Sequence, residues 1–459
     1  MDTSRPIDPA HHELASRLAA DGVKYALASW IDVLGRAKSK VVPVDHLPNL
    51  LAGSERYTPR GITGLGEMTP NEPESLAMPD PATLQVLPWD RRFAWMAADL
   101  LVEGADPFAH CTRSILKRQL DAAAEAGFVF HLGIETEFFV FDPAALERGD
   151  DYLTPLARSG GLTPTPAYDV EATLDAANFL DAMVDAMQEC GFGVFSFDHE
   201  GGDGQFEFDF GHAPALETAD RITLFRLLAR QVAKQQGLLA TFMPKPYTSA
   251  WGSGHHYNMS LTDLDGTNLM RDAADPRGRG WSATAYAFTA GIMRHAAALA
   301  AVCTPTVNSY KRMTPRLADG SASWAPVYSA YGYQNRSCML RLPENRPAVE
   351  DRAVDSTANT YLAAAFLLAA GLEGVREGAD PGTPVDVALT DDRSPAGTNS
   401  VRLPRTLLEA VEAFAADPLA VEVFGAEFVA DYVQAKTAEW DEFHAQVTPW
   451  ERKRYLLDY

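Results

Sequence analysis

Apolar and polar residues recur with period two in several short runs and with a helical period in several long ones, so the chain reads as strands interleaved with amphipathic helices. Residues 11–20 carry a short helical pattern and residues 23–32 read as a strand. A turn at Gly35-Arg36 leads into residues 38–43, which predicts a hairpin opening a small N-terminal sheet domain. Between residues 60 and 88 Gly and Pro recur too often for a long helix, and short strands are expected near 84–86 and 95–98. Asp106-Pro107 marks a boundary, because residues 111–126 have a helical pattern that ends at Gly127. A helix is predicted over 171–190, where Leu174, Ala177, Leu180, Val184 and Met187 form an apolar stripe. Further helices are predicted over 215–236, over an alanine-rich stretch at 282–302 and over 361–372. A polar loop follows at 378–399, then two or three helices between 404 and 447. The pattern describes an α+β fold whose sheet is backed by helices, without internal repeats.

Three short strand-like segments, at 133–138, 200–207 and 254–258, add chemistry to this pattern. Residues two apart on a strand point the same way, so Glu135 joins Glu137, Gln205 joins Glu207 and His256 joins Asn258. The opposite faces carry Phe138, Val140, Phe206, Phe208 and Met259, which suit a core. One Glu-x-Glu strand is more often an exposed polar face than a metal site. Three such segments are another matter: with Glu200 they gather four glutamates and an imidazole, which repel unless divalent cations neutralise them. Hard oxygen ligands with one imidazole suit magnesium or manganese better than zinc.

Composition narrows the class. With 459 residues, 46% hydrophobic and 22% charged, the chain can bury a sizeable core in two or three domains. A formal charge of −23 argues against non-specific nucleic-acid binding. No apolar run approaches the roughly 20 residues of a membrane span. The start lacks a signal-peptide pattern, so a cytoplasmic, membrane-free protein is expected. Cys111, Cys190, Cys303 and Cys338 have no paired spacing and read as buried thiols.

The three segments, followed in order by Asn308-Ser309-Tyr310-Lys311-Arg312, Asn335-Arg336-Ser337 and Glu350-Asp351-Arg352, resemble the glutamine synthetase family. Within it the chain looks most like the type III ligases that join glutamate to ammonia or methylamine. The resemblance implies a small N-terminal beta-grasp-like domain at about 1–106. A catalytic domain with a helix-backed antiparallel sheet would then occupy about 107–459. It implies that Glu137, Glu200 and Glu207 bind one divalent ion, and Glu135, His256 and Glu350 a second. Amide synthesis needs the carboxylate of glutamate converted to an acyl phosphate at the expense of ATP, and cationic groups must offset the charge of the transferring phosphoryl group. By resemblance Arg312 and Arg352 hold the glutamate carboxylates or the acyl phosphate, while Arg336 and Arg341 contact the phosphates. Gly252 allows close approach of backbone to the amino acid, and Asn258 and Ser260 reach the nucleotide. The family also implies a homo-oligomer, two stacked hexameric rings with active sites between neighbouring subunits.

Three positions depart from ammonia-using relatives. Trp251 replaces an asparagine before Gly-Ser-Gly, and Trp324 replaces a glutamate before Ala-Pro. The loop that supplies a further aspartate aligns with Arg60-Gly61-Ile62-Thr63. Losing two carboxylates removes partners for ammonium, while an indole offers an apolar, cation-attracting face to an alkylammonium. Methylamine is therefore the expected substrate, with ammonia or a larger amine as alternatives and a silent binding protein as a lesser one. A catalytic carboxylate would otherwise come from Asp319 or Glu67. Residues 376–400 contain no tyrosine, so control by tyrosine adenylylation is not expected.

Overall fold

A computed structural model describes residues 7–59, 71–102, 106–144, 167–390 and 400–458. The first helix, Pro9–Ala20, is capped by the Asp8 side chain, which accepts the Ala10 N–H. The N-terminal strands are β1 (Tyr25–Ile31), β2 (Ala37–Lys38), β3 (Val41–Pro43), β4 (Arg56–Tyr57), β5 (Ser75–Pro79), β6 (Gln85–Val86) and β7 (Phe93–Leu101). They form one sheet in the order β2-β1-β7-β5-β4, with β3 also on β1 and β6 on β7. The expected hairpin is present, but its return arm is split, β2 and β3 pairing with successive parts of β1.

Strands β1 and β7 run parallel, and alternation along them separates two cores. Ala94, Met96, Ala98 and Leu100 point into a core with Trp30, Leu47 and Leu50. Trp95 and Ala97 point the other way, into the main core. Arg113 reinforces this junction from the buried first turn of the helix Thr112–Glu125, with ion pairs to Asp80, Asp99 and Asp220.

The second sheet contains β8 (Val129–Phe141), β9 (Val194–His199), β10 (Gln205–Phe210), β11 (Ala213–Pro214), β12 (Leu239–Thr241) and β13 (His255–Thr262). Strand β14 (Tyr328–Ser329) lies outside it, and β15 (Tyr331–Tyr333), β16 (Leu340–Leu342) and β17 (Val349–Asp351) complete it. The order is β15-β16-β17-β13-β8-β10-β9, with β11 and β12 also on β8. Only β15 and β16 pair in parallel within this sheet among the described residues. Strand β18 (Val401–Arg402) pairs with β14. Phe138, Val140, Phe206, Phe208 and Met259 all enter the main core, as their alternation predicts.

The helices behind the sheet differ from expectation in three places. The predicted 171–190 helix is two, Val170–Asp175 and Ala177–Glu189. The alanine-rich helix is also two, Ala283–Arg294 and Ala296–Cys303, bent by 77°. The hinge is His295, whose Nδ1 lies 2.7 Å from Asp417 and Nε2 2.7 Å from Glu373. The helix expected at 361–372 runs on as Thr360–Glu377 and crosses Ala283–Arg294 with its backbone almost in contact. A Cβ on Gly291 would lie 2.0 Å from the Ala370 carbonyl oxygen, and one on Gly374 would lie 2.1 Å from that of Ala287. Three C-terminal helices, Leu407–Ala416, Pro418–Phe424 and Ala426–His444, follow as expected, and a fourth, Pro449–Tyr455, was not predicted. No single helix among the described residues is long and apolar enough to cross a membrane.

Candidate active site

Register brings the acidic side chains together. Glu137 stands opposite Glu207 across β8 and β10, Glu135 opposite His256 across β8 and β13, and Glu350 opposite Asn258 across β17 and β13. Glu200 arrives differently from the continuous strand expected at 200–207. It sits in the tight connection between β9 and β10, where Gly204 takes a φ of 72° and Glu200 N–H donates to the Gln205 carbonyl at 2.8 Å.

Carboxylate oxygens of Glu137, Glu200 and Glu207 lie within 4.8 Å of one another, as do ligand atoms of Glu135, Glu207 and His256. Burial and then the Glu200 charge push the Glu137 carboxyl up to about 8. Burial, followed by Glu135, Glu137 and Glu200, pushes Glu207 well above its usual range, and burial also raises Glu200. Gln205 Nε2 and Gly254 N–H both donate to Glu137 Oε2, at 2.9 and 2.8 Å, and fix that carboxylate. Burial and the Arg352 charge push His256 down to about 4, leaving it neutral. Three crowded carboxylates whose charge is unfavourable as they stand, next to a neutral imidazole, match the donor set of a hard divalent ion. Asp198 and Asp209 extend this acidic face, each pushed up to about 7 by burial and then by Glu200 and Glu135 respectively. The period-two run Gln205, Glu207, Asp209 was a signal for the second of them.

A cationic wall faces the acids. Glu350 is fully buried and lies in neither carboxylate group: it accepts from Arg352 at 2.6 Å, Arg341 at 2.7 Å and Arg346 at 2.9 Å. Arg346 also reaches Glu135 at 3.0 Å. Burial raises Glu135, but the His256 hydrogen bond and the Arg346 and Arg352 charges outweigh it and hold the carboxyl low. Sequence reasoning missed Arg346, whose only mark is a place four residues before Glu350 in a Pro-flanked turn. Arg312 is buried and donates to the carbonyls of Arg352 and Ala353, both at 2.9 Å. Arg341 divides its guanidinium between Glu350 and Gln334. Arg336 is exposed, and its guanidinium makes no hydrogen bond to any described residue.

The acids other than Glu350, His256 and the five arginines line a cavity of about 420 Å³ together with Tyr168, Lys245, Trp251, Gly252 and Trp324. Gly252 has no room for a side chain, since a Cβ would lie 2.7 Å from both Arg312 Cγ and the Pro244 carbonyl oxygen. Trp251 packs on Gly201, where a Cβ would come within 2.8 Å of the indole. Trp324 is 53% exposed and takes a φ of 58°, an uncommon conformation for a bulky residue. Asn258 does not line the cavity; it donates to Glu135 at 3.1 Å and accepts from Arg346 at 2.8 Å. Ser260, two residues further along β13, does not line it either. Asp319 is exposed and bonded to Ser321. Arg60-Gly61-Ile62-Thr63 and Glu67 lie outside the described residues.

Residues 109–455 match the family described as glutamine synthetase, catalytic domain. The chain is 36% identical over 442 residues to the glutamate–methylamine ligase of Methyloversatilis universalis, covering 96% of this chain and 97% of that protein. It is 35% identical over 446 residues to the glutamine synthetase of Rhizobium meliloti, covering 97% and 99%. The solved ADP complex of GmaS matches the fold with a TM-score of 0.87 at 35% identity, over 97% of this chain and 99% of that one.

Proposed function

The chain belongs to the glutamine synthetase family of ATP-dependent carbon–nitrogen ligases, and we propose that its reaction joins L-glutamate to methylamine. ATP phosphorylates the side-chain carboxylate to give γ-glutamyl phosphate, and the neutral amine displaces phosphate to form N5-methyl-L-glutamine, with ADP as the other product. The carrying observation is the pair Trp251 and Trp324, two indoles on the cavity wall, at positions where the family resemblance implies an asparagine and a glutamate in ammonia-using members. An indole edge and face accommodate a methyl group and attract its cationic ammonium form before deprotonation.

Glu137, Glu200 and Glu207 would hold one magnesium or manganese ion, and Glu135, His256 and Glu350 a second. When bound, such ions neutralise phosphate charge and orient the phosphoryl group. Arg336, whose guanidinium has no partner among the described residues, is suited to the nucleotide phosphates, with Arg341 behind it. Arg312 and Arg352, fixed by backbone carbonyls and by Glu350, are pre-organised for the glutamate carboxylates or the acyl phosphate. Gly252 lets the amino acid lie against backbone. Asn258 supports the nucleotide side through Glu135 and Arg346, and Ser260 extends that side.

The same reading includes a cytoplasmic enzyme divided near residues 106 and 107 and assembled as two stacked hexameric rings. Large apolar side chains left in solvent by one chain, such as Phe195, Trp450 and Leu457, support burial between subunits. A screen of amines with ATP and glutamate, scored by phosphate release and product mass, tests the function. Turnover with methylamine supports it, turnover confined to ammonia makes the protein a glutamine synthetase, and no turnover with any amine points to a silent member.

A further inference from the structure

Arg346 stands in the turn between β16 and β17, and the backbone of that turn is held from outside. Arg271 Nη2 donates to the carbonyls of Pro343, Glu344 and Arg346 at 2.7, 3.0 and 2.9 Å. The Arg271 guanidinium is itself stacked over Trp281, 3.8 Å from the ring centroid. From this anchored turn the Arg346 side chain enters the cavity. Its Nη2 donates to Glu135 Oε1 at 3.0 Å and to Glu350 Oε2 at 2.9 Å, and its Nε donates to Asn258 Oδ1 at 2.8 Å. One nitrogen thus ties together carboxylates from β8 and β17.

The other half of the acidic site has no such tie. Among the described residues no arginine or lysine forms an ion pair with Glu137, Glu200 or Glu207, and the nearest basic side chain is the imidazole of His256, 3.6 Å from Glu137 Oε1. The two halves therefore differ in who supplies positive charge.

We propose that Arg346 is an internal counter-cation that competes with a divalent ion for Glu135 and Glu350, so that the protein accepts one ion at Glu137, Glu200 and Glu207 without rearrangement and a second only when Arg346 withdraws. This rests on the reading of Glu135 and Glu350 as cation ligands. A divalent ion drawing on the same oxygens must displace the nitrogen lying between them, and its charge repels the guanidinium at short range. The side chain is 29% exposed, so it has solvent to withdraw into. With the turn clamped by Arg271, the change is a rotation of one side chain.

A manganese titration of the full-length protein, followed by the electron paramagnetic resonance of free Mn²⁺, reads the sites without turnover. Wild type is expected to show one tight and one weaker class of site per chain. Removing a competing charge-assisted hydrogen bond in Arg346→Gln should tighten the weaker class at least about tenfold and leave the tight class unchanged. Arg346→Lys, which keeps the charge on a shorter reach, should fall between the two. The unchanged tight class and the circular dichroism spectrum show that each variant is folded. Superimposable isotherms for wild type and Arg346→Gln, or loss of the weaker class in the variant, overturn the proposal. If neither protein binds Mn²⁺, the metal reading fails and the proposal with it. The amine plays no part in the titration, so a wrong amine assignment does not change its outcome.

Discussion

Trp251 and Trp324 meet edge to face, with ring centroids 5.5 Å apart and planes at 85°, on the wall of the candidate active-site cavity. The contact holds a half-exposed Trp324 in place despite its left-handed backbone. Their shared corner is apolar within an otherwise charged site. If the pair provides the methyl contact, Trp324→Glu lowers the specificity constant for methylamine more than that for ammonia. One methyl group in an apolar pocket is worth about 1–3 kcal/mol, so the ratio of specificity constants should move towards ammonia by about 10- to 200-fold. Steady-state kinetics with both amines measures this, and an unchanged ratio removes the tryptophan from amine selection.

The crowded carboxylates lead to a test with two readouts. Glu207→Ala removes a carboxyl group whose charged form is disfavoured by burial and then by Glu135, Glu137 and Glu200, so without metal the variant should unfold no more easily than wild type. It should nevertheless release no phosphate from ATP at saturating magnesium. Thermal melts in chelator and a phosphate assay check both. Normal turnover in the variant would take Glu207 out of the metal site.

Much of this arrangement was legible because it follows the period of two. Glu135, Glu137, Glu207 and His256 share a face, and Phe138, Phe206 and Met259 fill the core behind it, as alternation requires. What was not legible depends on contacts between distant segments. Glu200 lies in a turn rather than a strand, because the chain reverses at Gly204 and strand pairing begins only at Gln205. The three arginines around Glu350 come from the strand before it, from the turn and from two residues beyond, an encirclement no single-strand pattern encodes. The bend at His295 was hidden too, since an alanine-rich pattern reads the same through a bent helix pair as through a straight helix.

The helix crossing behind the sheet can be tested directly. Glycine weakens a helix, yet Gly291 and Gly374 are needed where two backbones nearly touch. Gly291→Ala would place its Cβ 2.0 Å from the Ala370 carbonyl oxygen, against backbone that cannot step aside. Overpacking of this kind costs about 1–3 kcal/mol, and a contact with backbone belongs at the upper end. A lower unfolding midpoint in urea is expected, and a wild-type midpoint would show that the helices separate easily.

His295 gives the fold a predictable pH dependence. Burial lowers its proton affinity, but the hydrogen bonds to Asp417 and Glu373 outweigh burial and raise it above the ordinary 6.5. A group raised in the folded state stabilises fully below its unfolded value and loses that contribution as pH rises through the folded value. Arg294, which also pairs with Glu373, stays charged across this range. Wild type should therefore lose stability relative to His295→Gln on going from acidic to alkaline buffer, with the loss beginning near neutrality. Parallel melting curves of the two proteins against pH would show that the imidazole is neutral throughout.

The measurement closest to the central claim is the pair of specificity constants of the wild-type protein for methylamine and ammonia, with ATP and glutamate saturating and the products weighed by mass spectrometry. A preference for methylamine of roughly 10- to 200-fold, with N5-methyl-L-glutamine as the product, is the predicted result. Equal constants, or a preference for ammonia with glutamine as the main product, would contradict it.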